Sequence, residues 1–181
     1  MNPQGALFFL LTTAIEVYAF IVLTRFILQA VRADFYNPIS QMVVRLTNPV
    51  LNPLRALLPS RGNIDLASLA CVLLLVALKV VVMILLSGAP LGAQAAGPIV
   101  LYAVRSLGSM IINYFFFAIL VRVILSWVAP DPYHPFAAIM TQVTEPLLGP
   151  VRKVLPNLGG LDLSPLVVLL GLQFLMVLFA L

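Results

Sequence analysis

Displaced by 97 residues, this 181-residue chain aligns with its own second half without a gap. Residues 25–69 read RFILQAVRADFYNPISQMVVRLTNPVLNPLRALLPSRGNIDLASL, and residues 122–166 read RVILSWVAPDPYHPFAAIMTQVTEPLLGPVRKVLPNLGGLDLSPL. Eighteen of these 45 pairs are identical, including Arg25/Arg122, Asp34/Asp131, Tyr36/Tyr133, Thr47/Thr144, Arg55/Arg152 and Asp65/Asp162. Prolines match at 38/135, 49/146, 53/150 and 59/156. A fixed period of this kind means that one structural unit is built twice, so the fold reduces to what a single unit can form.

Each unit has the same order of parts: a long apolar segment, about 30 residues punctuated by proline, and a second apolar segment. Across the chain 62% of residues are apolar and 9% charged, whereas a soluble domain carries about a quarter charged residues. Too little polar surface exists to cover a globule in water, so lipid is the expected solvent. The expected spans are 6–31, 66–88, 106–129 and 163–181, each near the ~20 residues a crossing needs. The stretch from Met1 to Gly5 has no Lys or Arg, and the apolar run after it exceeds that of a cleavable signal, so the first span is expected to be retained. The predicted fold is an all-α membrane protein with four transmembrane helices in two parallel two-helix repeats. Residues 1–88 form the first unit, 89–105 a connector and 106–181 the second unit. Two crossings per unit give both units one orientation, with a pseudo-two-fold axis roughly along the membrane normal. Parallel repeats of this kind are not specific to transporters.

Six of the ten Lys and Arg lie in the two proline-bearing stretches: Arg32, Arg45, Arg55, Arg61, Arg152 and Lys153. Basic loops stay on the cytoplasmic side, so these stretches are expected in the cytoplasm, with both termini outside. Asn37-Pro38 and His134-Pro135 each offer a cap residue followed by proline at the first helical position. Two short helices per stretch are expected, one ending near Leu46 and another starting at Pro49 or Pro146. Pro53 and Pro150 would kink or restart the second. Together they would form an interfacial helical elbow lying on the leaflet.

The run from Leu125 to Leu170, with its Thr-Glu-Pro, Pro-x-Arg, Leu-Pro and Gly-x-Asp-x-Ser-Pro elements, resembles the YggT family of small bacterial inner-membrane proteins. That resemblance implies a doubled unit and no agreed catalytic residues. It implies links to osmotic or ion stress and to cell-division gene neighbourhoods, and, through plastid relatives, to nucleoid distribution and cytochrome maturation. The first unit departs from the pattern: Asn48 stands in the place of Glu145, and Ala67-Ser68 in the place of Ser164-Pro165.

Glu16 and Lys79 lie at similar depth in the first two spans, and their counterparts are Asn113 and Met176. Both charges are absent together from the second unit, as a pair requires. They form either an ion or proton route, with Asn113, or a buried structural pair in which Lys79 snorkels outward. Arg25 and Arg122 capture headgroups, pair with a repeated carboxylate such as Asp34 or Asp131, or simply anchor the interface. Arg55, Arg152 and Lys153 are expected to reach anionic headgroups or a partner. Asp65 and Asp162 either coordinate a cation or, as such residues more often do, cap a helix start. Trp127 and Tyr133 suit an interfacial belt, and Cys71, the single cysteine, suits packing. The lone His134 with Asp131 and Glu145 makes a weak case for acid–base chemistry. No phosphate loop, nucleophile triad or metal-ligand spacing is present in the sequence.

The expected function is therefore a non-enzymatic scaffold or assembly factor of the inner membrane, without cofactor. It would bind lipid headgroups and a membrane, division or assembly protein, with no direct nucleic-acid contact, and it has the makings of a homo-oligomer. The competing reading is a small ion or osmolyte transport component using a route near Glu16, Lys79 and Asn113. A membrane enzyme ranks last.

Overall fold

A computed structural model describes residues 3–58, 62–87, 96–128, 134–155 and 162–179. These form six helices: α1 (Pro3–Ala30), α2 (Pro38–Leu57), α3 (Leu66–Ser87), α4 (Ala96–Val128), α5 (Pro135–Val154) and α6 (Ser164–Leu178). Stretches of 26, 21 and 32 residues in α1, α3 and α4 are long and apolar enough to cross a membrane. The 21 residues of α3 span about 32 Å, close to the ~30 Å hydrocarbon core. The 32 residues of α4 exceed that thickness and require tilt or an overhang. The described part of α6 has 15 residues and reaches about 22 Å. Large apolar side chains stand exposed around these helices, with Phe9 at 69% and Phe174 at 64%. A continuous apolar exterior of this kind suits lipid and would aggregate in water.

Two boundaries differ from the sequence reading. The third apolar helix begins at Ala96 rather than 106, so much of the expected 89–105 connector is helical and Arg105 lies within α4. Each proline-bearing stretch is one continuous helix of 20 residues, with Pro49 and Pro53 inside α2 and Pro146 and Pro150 inside α5. All four prolines face outward. The carbonyls deprived of an amide partner therefore lie on the exposed side of each helix, where a polar solvent can satisfy them.

α1 packs on α3, α3 on α4 and α4 on α6, with α2 held against α1, α3 and α5, and α5 against α4 and α6; α1 also meets α4 where the rings of Phe20 and Tyr114 lie 5.3 Å apart. Among the described residues α6 has no comparable packing along α1, so the expected two-fold relation between units does not extend to their contacts. One change in side-chain size, Ser106 for Phe9, accompanies the difference. Ala103 is buried in the core on α4, where small residues let backbones approach, and Ser106 lies nearby. Their counterparts on α1 are Ala6 and the bulky, exposed Phe9. The larger core cluster joins Val22, Leu23, Leu51, Val72 and Cys71 with Tyr114 and Val143, while the smaller holds Ile119, Leu148 and Leu172.

Candidate functional site

The polar chemistry of the molecule concentrates where α2 and α5 meet the ends of the apolar helices. Both proline-bearing helices start as the sequence predicts. The Asn37 side chain accepts from Ile39 N at 2.9 Å and His134 Nδ1 accepts from Phe136 N at 3.3 Å, with proline next in each case. The two helices are also tied to each other. Asn37 Nδ2 donates to Pro135 O, and Asp34 N donates to Gln142 Oε1, both at 2.8 Å.

Each is then clamped to its neighbouring apolar helix by the repeated arginine. Arg25, 9% exposed, donates through Nη1 to Val44 O, Thr47 Oγ1 and Asn48 Oδ1 at 2.9–3.1 Å. Arg122 Nη1 donates to Thr144 Oγ1 at 2.8 Å and to Glu145 Oε2 at 3.0 Å. The expected pairing of Arg25 with Asp34 is not formed; the Asp34 carboxylate accepts from Tyr36 N instead. The reason is register: Thr47 and Asn48 present neutral acceptors well inside α2, directly opposite Arg25. Asp131 and Tyr133 lie outside the described residues.

A second repeated clamp ties the far end of each proline-bearing helix to the start of the next apolar helix. Arg55 pairs with Asp65, and Arg152 Nε with Asp162 Oδ2 at 3.0 Å. Asp65 keeps its cap role as well, accepting from Ser68 N, whereas Asp162 accepts from Ser164 N one residue ahead of the cap position Leu163, which makes no side-chain bond. Both arginines therefore turn inward to carboxylates, where the sequence suggested headgroups. Burial pushes the Asp65 carboxyl up, but the Arg55 guanidinium and Ser68 outweigh it and hold it below the usual range. Burial raises Glu145 and Asp162 too, and hydrogen bonds outweigh it at both, from Arg122 and Arg152 at Glu145 and from Ser164 and Arg152 at Asp162. Burial lowers Arg152, yet Asp162 and Glu145 together raise it above its ordinary value. Lys153 is exposed at the end of α5.

The family model for CCB3/YggT matches residues 4–86 and again 101–181. This chain belongs to the CCB3/YggT family. Similar proteins include one from Pseudomonas aeruginosa, 47% identical over 168 residues, which are 93% of this chain and 85% of that protein. The YggT protein of Escherichia coli K12 is 38% identical over 168 residues, 92% of this chain and 85% of its own. The chloroplastic CCB3 protein of Arabidopsis thaliana, whose name refers to cofactor assembly of complex C, is 35% identical over 57 residues, 31% of this chain and 33% of its own. No solved structure matches. The two-part match of the family model follows the internal repeat, and it places both clamps within family sequence.

Glu16 and Lys79 are brought together as an ion pair between α1 and α3, with Lys79 the more buried. A cavity of about 330 Å³ beside them is lined also by Phe20, Val76, Ser106 and Met110. Asn113 is not part of it; its Nδ2 donates to Ser109 O on its own helix at 2.9 Å. His134 and Glu145 are taken up as cap and clamp, respectively. Trp127 is exposed near the end of α4 and Cys71 is buried in the core. Among the described residues no three His, Cys, Asp or Glu side chains are grouped as a metal site would need.

Two features escaped the sequence reading. The Arg55–Asp65 and Arg152–Asp162 pairs were visible as opposite charges repeated at one separation of ten residues. Arg32 adopts a φ of 56° at the end of α1, where Ala33 N bonds back to Leu28 O at 2.9 Å. Glycine is the usual residue there, and an L side chain in that region costs about 1–2 kcal/mol.

Proposed function

We propose that this chain is a non-enzymatic assembly factor of the bacterial inner membrane, working through the joint surface of α2 and α5. In this reading α1, α3, α4 and α6 are four crossings in two parallel repeats. The proline-bearing helices are interfacial elbows on the cytoplasmic leaflet, and both termini are outside. The excess of Lys and Arg near α2 and α5 supports that orientation and a contact with anionic headgroups.

One observation carries the functional reading: each of these helices is fixed at its middle and near its C-terminal end to its own apolar pair, and their N-terminal ends are hydrogen-bonded to each other. Such bracing makes a surface of fixed shape, which positions a partner better than a mobile loop. Met42, Leu46 and Val50 form an outward apolar stripe along α2 at helical spacing. The name of the Arabidopsis relative, which refers to cofactor assembly, supports the class of role. The occupant of this surface is a membrane, division or assembly protein. The transport alternative rests on the Glu16–Lys79 pair and its cavity, and Asn113 does not extend that route.

A photo-crosslinking side chain placed at Met42, Leu46 or Lys153 in living cells tests the proposal, with exposed Leu74 and Phe174 as controls. The expected result is one discrete protein adduct shared by the α2 and α5 positions and absent from the controls. No adduct at any of the three, or the same adduct at the control positions, would overturn it.

A further inference from the structure

A cavity of about 530 Å³ lies between the end of α1, the turn that follows it, and the inner side of α2. Arg25, Arg32 and Arg55 line it, with Ser40 and an apolar set that includes Leu28 and Phe35, and no carboxylate stands among its lining residues. Asp65 pairs with Arg55 and is not among the lining residues.

The donors around this cavity are incompletely used. Ser40 is 4% exposed, and its hydroxyl has no hydrogen-bond partner among the described residues. The Nε of Arg55 is likewise buried without one. All three bonds of Arg25 use Nη1 and end on neutral oxygens, so its charge is not neutralised by them. Buried polar groups are almost always satisfied, and unsatisfied ones in a native fold ask for a missing partner. Three guanidiniums against one carboxylate, with a buried hydroxyl beside them, ask for an anion that accepts several hydrogen bonds. Guanidinium forks match phosphate oxygens in this way.

The second unit supplies an internal control. Glu145 stands where Asn48 stands in the first, and it bridges Arg122 and Arg152 with its two oxygens. Asp162 closes on Arg152 from the other side. Two carboxylates thus answer two guanidiniums. Counting 97 residues onward, Arg32 is replaced by Ala129 and Ser40 by Ala137. The charge, the hydroxyl and the neutral position 48 change together, as the loss of one ligand site requires.

We infer that the α1–α2 cavity of the first unit binds the phosphate of an anionic phospholipid, held by Arg25, Arg32, Arg55 and Ser40. Phosphate is the shared chemistry with a free anion, and the apolar lining favours the lipid. Phe35 is exposed at 58% and Leu28 is buried, so apolar side chains accompany the basic ones. An amphiphile uses both, whereas inorganic phosphate uses only the guanidiniums. The inference rests on the proposed headgroup contact and gives it a site; it can fail apart from the assembly role, because it concerns the inner side of α2 and is read by lipid binding alone.

The full chain, purified in a neutral detergent, can be titrated with phosphatidylglycerol and with phosphatidylcholine, and the bound lipid counted by native mass spectrometry. One phosphatidylglycerol is expected to be retained at least tenfold more tightly than phosphatidylcholine. Arg32→Ala with Ser40→Ala copies the second unit's residues and is expected to abolish that preference, as is Asn48→Glu. Arg32→Gly guards against misfolding: glycine relieves the positive φ, so thermal stability should hold or rise while the preference falls. Retention unchanged in all three variants would overturn the site. Displacement of phosphatidylglycerol by inorganic phosphate at similar concentration would overturn the lipid assignment.

Discussion

Arg55 and Arg152 occupy one place in the repeat and meet aspartates at one separation, yet their surroundings differ. Asp65 is fully buried, whereas the Asp162 side chain is 43% exposed. Arg55→Ala would take a guanidinium away from a fully buried carboxylate, at about 3 kcal/mol by analogy with broken buried pairs. Arg152→Ala leaves Asp162 to water and Glu145 to Arg122, at under ~1 kcal/mol. Thermal unfolding in detergent should separate the two variants clearly, and equal losses would contradict the burial argument. The pH dependence has a definite sign. Asp65, Asp162 and Glu145 are all held below their ordinary values, so their stabilisation is complete above the unfolded carboxylate range near ~4 and is lost as pH falls through the folded values. Acidification below that range should loosen both far clamps, and Asp65→Asn should flatten that acid loss. The repeat made these charges legible as a set. Their direction was not legible, because an arginine near a membrane surface has a headgroup and an internal carboxylate within equal reach, and only burial decides between them.

At the scale of elements, the cap residues Asn37 and His134 and the prolines after them marked the starts of α2 and α5 directly. Their continuation past two internal prolines was not readable. An internal proline removes one helical bond and crowds the preceding turn wherever it faces, but here all four face outward, where the freed carbonyls can find polar partners. What holds α2 in place is the inner face, where Thr47 is fully buried, accepts from Arg25 and donates to Val43 O at 2.7 Å. Thr47→Val keeps the shape and removes the hydroxyl, leaving the Arg25 fork short of one acceptor. The expected cost is about 1–3 kcal/mol, concentrated in one element. Hydrogen exchange should rise across 38–57 and stay unchanged in α3 and α4. A uniform rise throughout the chain would show that α2 is not a separately clamped piece.

For the whole molecule, the decisive asymmetry between units is the Glu16–Lys79 pair, which joins α1 to α3 and has Asn113 and Met176 as counterparts in α4 and α6. Equal depth and joint loss were enough to predict the pair from sequence. The unequal packing of the two units was not predictable, because it depends on which helix faces meet. The pair also separates the two functional readings. Removing one partner strands a charge among apolar helices, at about 3 kcal/mol on insertion and buried-pair scales. Removing both strands none. Glu16→Asn alone should therefore lower thermal stability by several degrees, and Glu16→Asn with Lys79→Met, which installs the second unit's own residues, should recover most of it. If the chain is an assembly factor, that double variant complements a deletion strain as well as the natural sequence does, since the platform of α2 and α5 is untouched. A double variant that is as stable as the natural chain but fails to complement would mean that the charges themselves do the work, and the assembly reading would give way to transport.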